Sequence, residues 1–259
     1  MTTEHTIAEV LDRRWPGLVH ELPTVPEAAA SLLRTIVVAI FVLTFIMDPC
    51  MIPSASMEPT LRIGDFLLSN RQVFAPENPL ANLILPYRDV RRGDIVVFYH
   101  SNPPLLVKRV VALPGDRLRI AEGHVYIDGL AVNEPYARYG SSELQAETDD
   151  FPPRSYDDPE VDPNWWQQVK GLDHNGELTV PANEYFVLGD NRNHSEDSRY
   201  WGFVPRQAIF AKPLVIYFSV KRPLRPNGPT RPGDKLEKKN LPDRFTGFAR
   251  WNRIFCVVH

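Results

Sequence analysis

"LLVKRVVALPGDRLRIAEGHVYIDG", Leu105 to Gly129, reads as a succession of short antiparallel strands. Its first part, Leu105 to Leu113, is rich in β-branched residues and stops at Pro114-Gly115-Asp116, a turn signal. Arg117 to Ile120 then alternates polar with apolar, Glu122-Gly123 makes a tight turn, and His124 to Ile127 alternates again before Asp128-Gly129. A period of two interrupted this often predicts a meander. Upstream, Phe66 to Asn70 and Asp94 to Tyr99 have the same texture, separated by the Pro/Asn-rich loop Ala75 to Pro86; downstream it returns at Glu184 to Leu188 and Leu214 to Val220. The 25 prolines against 14 glycines also favour strands and irregular loops over long helices. The expected fold is mainly β and antiparallel. Between Asn133 and Gly176 the composition turns acidic and aromatic, with Pro152-Pro153 and Trp165-Trp166 and no periodicity, which reads as an insertion; the expected architecture has a β-rich cap at about Ala121 to Ala182.

With 43% hydrophobic and 24% charged residues, the 259-residue chain can bury a substantial core. A net charge of −3 gives no reason to expect a nucleic-acid partner. Cys50 and Cys256 belong to no C-x-x-C pair or histidine cluster, so no metal site is expected; two free thiols or one disulfide both fit.

Ala28 to Met47, "AAASLLRTIVVAIFVLTFIM", carries one charge, Arg34, and as a helix spans about 30 Å, the thickness of a hydrocarbon core. A cleavable signal would start nearer the N-terminus behind a basic segment, so a retained membrane anchor is the favoured reading, with a buried core helix as the alternative. Charge gives a weak orientation, because Arg13 and Arg14 share the preceding tail with Glu4, Glu9, Asp12, Glu21 and Glu27. The stretch Lys221 to Arg253 has ten Lys/Arg against three Asp/Glu, which suits anionic lipid headgroups or a solvated face.

Just after the apolar run stands "PSASMEPTL", Pro53 to Leu61, with no histidine near it on its C-terminal side. A serine nucleophile needs a base. His100, His124, His174 and His194 lie in no signature that ties them to Ser56, and neither a G-x-S-x-G nor an S-x-x-K pattern is present. A lysine is the other option. Strand alternation puts Lys108 and Arg109 on opposite faces, so one of them turns inward if the strand is covered, and only lysine can shed its proton on burial.

Three stretches, "IPSASMEPTLRIGD" (Ile52–Asp65), "VKRVVALPGD" (Val107–Asp116) and "GDNRNHSEDSRYWGFVP" (Gly189–Pro205), in this order behind an apolar segment, closely resemble the boxes of type I signal peptidases. "FTGFARWNRIF" is also similar to the ending of Gram-negative members. The resemblance implies that Ser56 is the nucleophile, Lys108 the general base and Ser54 a donor to the oxyanion hole. It further implies that Ser195 orients the lysine, that Asp197 and Arg199 form a supporting ion pair, and that Ile52, Pro53, Met57, Leu61, Leu67, Val97 and Val107 line shallow pockets for small side chains. It departs from the commonest pattern at Asn193-His194, where many members have Asp-Asn, and at Cys50, where a bulky apolar residue is frequent.

The organisation then implied is a cytoplasmic tail over 1–27, an anchor over 28–47, a catalytic β domain over 48–120 and 183–259, and a cap over 121–182. The implied function is a single-pass serine endopeptidase of the bacterial plasma membrane. It removes signal peptides from secretory preproteins after A-x-A on the outer face, touches membrane lipid and needs no cofactor. Self-cleaving repressor proteases share the Ser–Lys pair, but they need a DNA-binding module and no anchor. An inactive peptide-binding relative would be expected to lack Ser56 or Lys108.

Overall fold

The computed structural model describes residues 25–42, 46–74, 88–100, 105–139, 150–153, 161–221 and 248–259. Met1–Phe45 and Ile46–His259 are separate units. In the first, helix α1 (Val25–Phe41) has no buried residue, and Leu32, Leu33, Val37, Val38 and Phe41 are all exposed. No helix among the described residues is long and apolar enough to cross a membrane. Residues 43–45 of the expected anchor lie outside the described residues, and Met47, its expected last residue, instead opens a strand.

The second unit is built on two antiparallel sheets. Its larger sheet contains β1 (Met47–Met51), β2 (Asp65–Asn70), β3 (Ile95–Tyr99), β4 (Leu105–Ala112), β10 (Glu184–Leu188), β11 (Val204–Pro205), β12 (Ile209–Ser219) and β13 (Cys256–Val257). The order is β1-β2-β12-β3-β4-β10-β11, with β13 also on β12. Pro49 is tolerated because β1 is an edge, and Pro213 because it falls at a bulge in β12. The smaller sheet has the order β7-β6-β5-β9-β8, from β5 (Arg117–Ala121), β6 (His124–Ile127), β7 (Leu130–Ala131), β8 (Asp173–His174) and β9 (Glu177–Thr179). The meander is present, but β5 joins the smaller sheet, so the boundary expected at residue 120 falls inside a strand.

The segment expected to lack periodicity holds a helix, α2 (Pro163–Leu172). Asp162 caps it by accepting from the Asn164 N–H, and Pro163 starts it with a pre-set φ. Trp165, Trp166 and Val169 pack against Leu118, Ile120, Val125 and Leu178 of the smaller sheet, so this aromatic stretch is core. Phe186 and Leu188 of β10 belong to the same cluster, which ties the smaller sheet to the larger one.

The two cysteines are free. Cys50, Leu67, Ile216 and Cys256 lie in register across four adjacent strands. Three strand spacings, about 14 Å, put the thiols far beyond disulfide reach.

Most of the basic stretch, 222–247, lies outside the described residues. Two of its cations face inward: Arg250 and Arg253 both pair with Asp65, which is fully buried and also accepts the Ser219 hydroxyl at 2.6 Å. Neither is a lipid-facing or merely solvated charge.

Candidate active site

Ser56 sits in a loop whose base is closed by main-chain bonds from the Ile52 N–H to Asp65 O and from the Gly64 N–H to Ile52 O, both 2.9 Å. Gly64 has φ +86, and a Cβ there would stand 2.6 Å from Val220 O, so the position admits only glycine. The loop folds back on itself through Glu58 N–H to Ala55 O (3.0 Å) and Leu61 N–H to Met57 O (2.8 Å). Met57 and Leu61 are its apolar anchors, buried with Ile52, Leu67, Ile95, Ile216 and Val258. Each such side chain contributes about 1.5–3 kcal/mol relative to exposure.

Ser56 is left at the wall of an open cleft of about 410 Å³, which Ser54, Lys108 and Ser195 also line. Ser54 Oγ and Ser56 Oγ lie 3.3 Å apart. Lys108, on β4, is 2% exposed, and its Nζ donates to Ser195 Oγ at 2.8 Å. Burial pushes the amine down to about 8; Asp197 opposes that shift and Arg199 adds to it. Behind Ser195, the Asp197 carboxylate is fully buried. It pairs with Arg199 Nε at 2.8 Å, accepts the Gly189 N–H at 3.1 Å and caps helix α3 (Ser198–Trp201). Burial alone would raise this carboxyl, but Arg199, Lys108 and the Gly189 N–H outweigh it and hold it below the ordinary carboxylate range. No group of three or more His, Cys, Asp or Glu able to hold a metal occurs among the described residues.

A model of the family described as signal peptidase, peptidase S26, matches residues 26–218. The chain belongs to this family. Three relatives are similar along most of their length. A probable signal peptidase I-2 from Synechocystis sp. is 32% identical over 76% of this chain and 74% of its own. Signal peptidase I of Pseudomonas aeruginosa is 32% identical over 83% and 81%, and that of Aquifex aeolicus 33% identical over 74% and 84%. The protein is therefore a hydrolase of the signal peptidase class, in which a serine protease removes signal peptides.

In this peptidase the residues expected from the sequence divide into three groups. Ser54, Ser56, Lys108 and Ser195 meet at the cleft, and Asp197 and Arg199 stand behind it. The seven apolar residues do not line the cleft around Ser56. Ile52, Met57, Leu61, Leu67 and Val97 are buried, Val107 is half-buried and Pro53 is exposed.

Sequence reasoning missed the framework that holds the serine loop. The Asn191 N–H donates to Ser56 O at 3.0 Å, and Asn191 Nδ2 donates to Ala55 O at 3.2 Å. The Thr60 hydroxyl donates to Asp190 Oδ2 at 2.5 Å, while Asp190 also receives Arg109 through two bonds of 2.8 Å. Lys108 and Arg109 are thus both buried, because β4 is covered on both faces; Arg109 is paired with Asp190 and stacked 3.8 Å over Tyr136. The signal for Asp190 and Asn191 was their place in the third box. Arg253, which donates to Thr60 O at 2.9 Å from 193 residues away, had a signal only in the C-terminal stretch "FTGFARWNRIF", which fixed no role for it.

Proposed function

We propose that this peptidase cleaves signal peptides after A-x-A by a Ser–Lys dyad. Ser56 Oγ attacks the carbonyl before the cut while Lys108 takes its proton. Lys108 then protonates the leaving amine, and water, deprotonated by the same lysine, releases the signal peptide from the serine. The Ser54 hydroxyl and the Ser56 N–H stabilise the oxyanion. Ser195 orients the amine, and Asp197 with Arg199 fixes the Ser195 loop. The observation that carries this reading is Lys108: an almost fully buried amine with a pKa of about 8, held by Ser195 in the cleft that Ser56 lines.

The small-residue preference is assigned to the surface above Ile52, Met57 and Leu61, where Pro53 and Val107 remain accessible and the packed layer beneath leaves little depth for a large side chain. The apolar segment that begins at residue 28 and includes most of α1 forms the anchor, a reading supported by the exposed Leu32, Leu33, Val37, Val38 and Phe41. The catalytic β unit, Ile46–His259, then lies on the outer face of the plasma membrane, in contact with lipid and secretory preproteins.

Purified protein in detergent is expected to cleave a reporter precursor at the signal junction; an intact precursor after prolonged incubation refutes the reading. Ser54→Ala is expected to lower turnover by about 10²–10³, the usual scale for one oxyanion donor. Unchanged turnover removes Ser54 from that role. Protease added outside intact spheroplasts is expected to digest the β domain, whereas digestion only after the membrane is opened contradicts the topology.

A further inference from the structure

Beyond Lys108 the cleft continues along a wall that the dyad does not use. Leu106, His100, Trp201, Tyr200, His194 and Glu196 line it, and Leu106 stands on β4 two residues before Lys108. The His100 and Trp201 rings are in contact, with centroids 4.6 Å apart and planes tilted by 43°. Glu196 and His194 are exposed to solvent within the cleft, in contrast to the buried Ser195 between them.

The chemistry fixes which part of the substrate this wall meets. Lys108 donates its proton to the nitrogen of the breaking C–N bond, so that nitrogen lies beside Nζ. The chain attached to it is the start of the released protein. The carbonyl half goes to the other side of Ser56, over the apolar layer of Ile52, Met57 and Leu61.

We infer that the His100, Trp201 and Glu196 wall is a subsite for the first residues after the cut, and that it favours a long cationic side chain at the first or second of them. This rests on the dyad reading above. The aliphatic stem of a lysine or arginine packs on Leu106 and Trp201, as amphipathic side chains do on apolar surface, and its charged end reaches the Glu196 carboxylate. An acidic side chain in the same place meets a like charge.

The experiment uses the full-length protein in detergent and two peptides that share an A-x-A end and differ only in Lys or Glu at the second residue after the cut. Their kcat/KM ratio is measured at a pH above the Lys108 transition, where any influence of Glu196 on that lysine acts equally on both peptides. The wild type is expected to prefer the Lys peptide about two- to fivefold, the range of a solvent-exposed ion pair. Glu196→Gln is expected to bring the ratio to about one and Glu196→Lys to invert it. Added salt should weaken the preference. A wild-type preference that persists in Glu196→Gln, or a wild-type ratio already at one, overturns the subsite. Failure of the wild type to cut either peptide instead rejects the dyad reading on which the subsite depends. Because each ratio is taken within one enzyme, partial loss of fold cannot produce an inversion.

Discussion

Replacing Lys108 by alanine or methionine is expected to lower kcat/KM for a precursor by on the order of 10⁴–10⁶, and Ser56→Ala by a similar amount, because two members of one proton-transfer unit fail together. Methionine is the more informative replacement. It nearly matches the volume of lysine, so β4 keeps its packing while the amine that takes the Ser56 proton is gone. Arginine is expected to be equally inactive at every accessible pH, since a guanidinium stays charged. Circular dichroism should remain close to wild type in Ser56→Ala and Lys108→Met. Activity within tenfold of wild type in either variant rejects the dyad.

Gly189→Ala is the second large expected effect, and it acts without touching substrate. The added Cβ would lie 2.5 Å from both Ser195 Cβ and Ser56 O. Neither neighbour can yield cheaply, because Ser56 O is held by the Asn191 N–H at 3.0 Å and Ser195 by Lys108 at 2.8 Å. The expected result is a loss of at least about 10² in kcat, the scale of a misplacement of about 1 Å, with destabilisation of about 1–3 kcal/mol from overpacking. Gly171, in the last turn of α2, is the control: nothing lies within 4 Å of a Cβ there, so Gly171→Ala should leave kcat unchanged and Tm equal or slightly raised. Wild-type kcat in Gly189→Ala would show that the close approach of the two serines to this backbone is not required.

The parts of this molecule governed by local chemistry were legible in the sequence. Alternation from Arg117 to Ile127 gave β5 and β6 because side chains that point to opposite faces leave a period of two in the chain. Helix α2 was overlooked even though Asp162 and Pro163 form a start signal and Trp165, Trp166, Val169 and Leu172 make one apolar face, because ten residues give fewer than about three turns and the acidic, proline-rich flanks hide so short a pattern. Burial of Arg109 was missed for a different reason. Alternation allowed only one inward cation, and the second is buried because Asp190, 81 residues on, neutralises it. The Arg253–Asp65 pair spans 188 residues, and no spacing rule reaches that far. The resemblance brought Ser56, Lys108 and Ser195 together before any coordinates did, whereas the Asp190–Asn191 framework that holds them is a property of the folded chain.

The most direct test of the central claim, that Lys108 is a neutral base in the free enzyme, is the pH dependence of kcat/KM on a short A-x-A peptide. Burial brings the amine to about 8, so below that pH it carries a proton and cannot take one from Ser56, and above it the base is free. The expected profile is an acidic limb with its midpoint near this value, shared by the rate at which a serine-acylating reagent inactivates the enzyme. A flat profile through this range, or full activity in Lys108→Arg, would contradict the claim and return the search for the base to the histidines of the cleft.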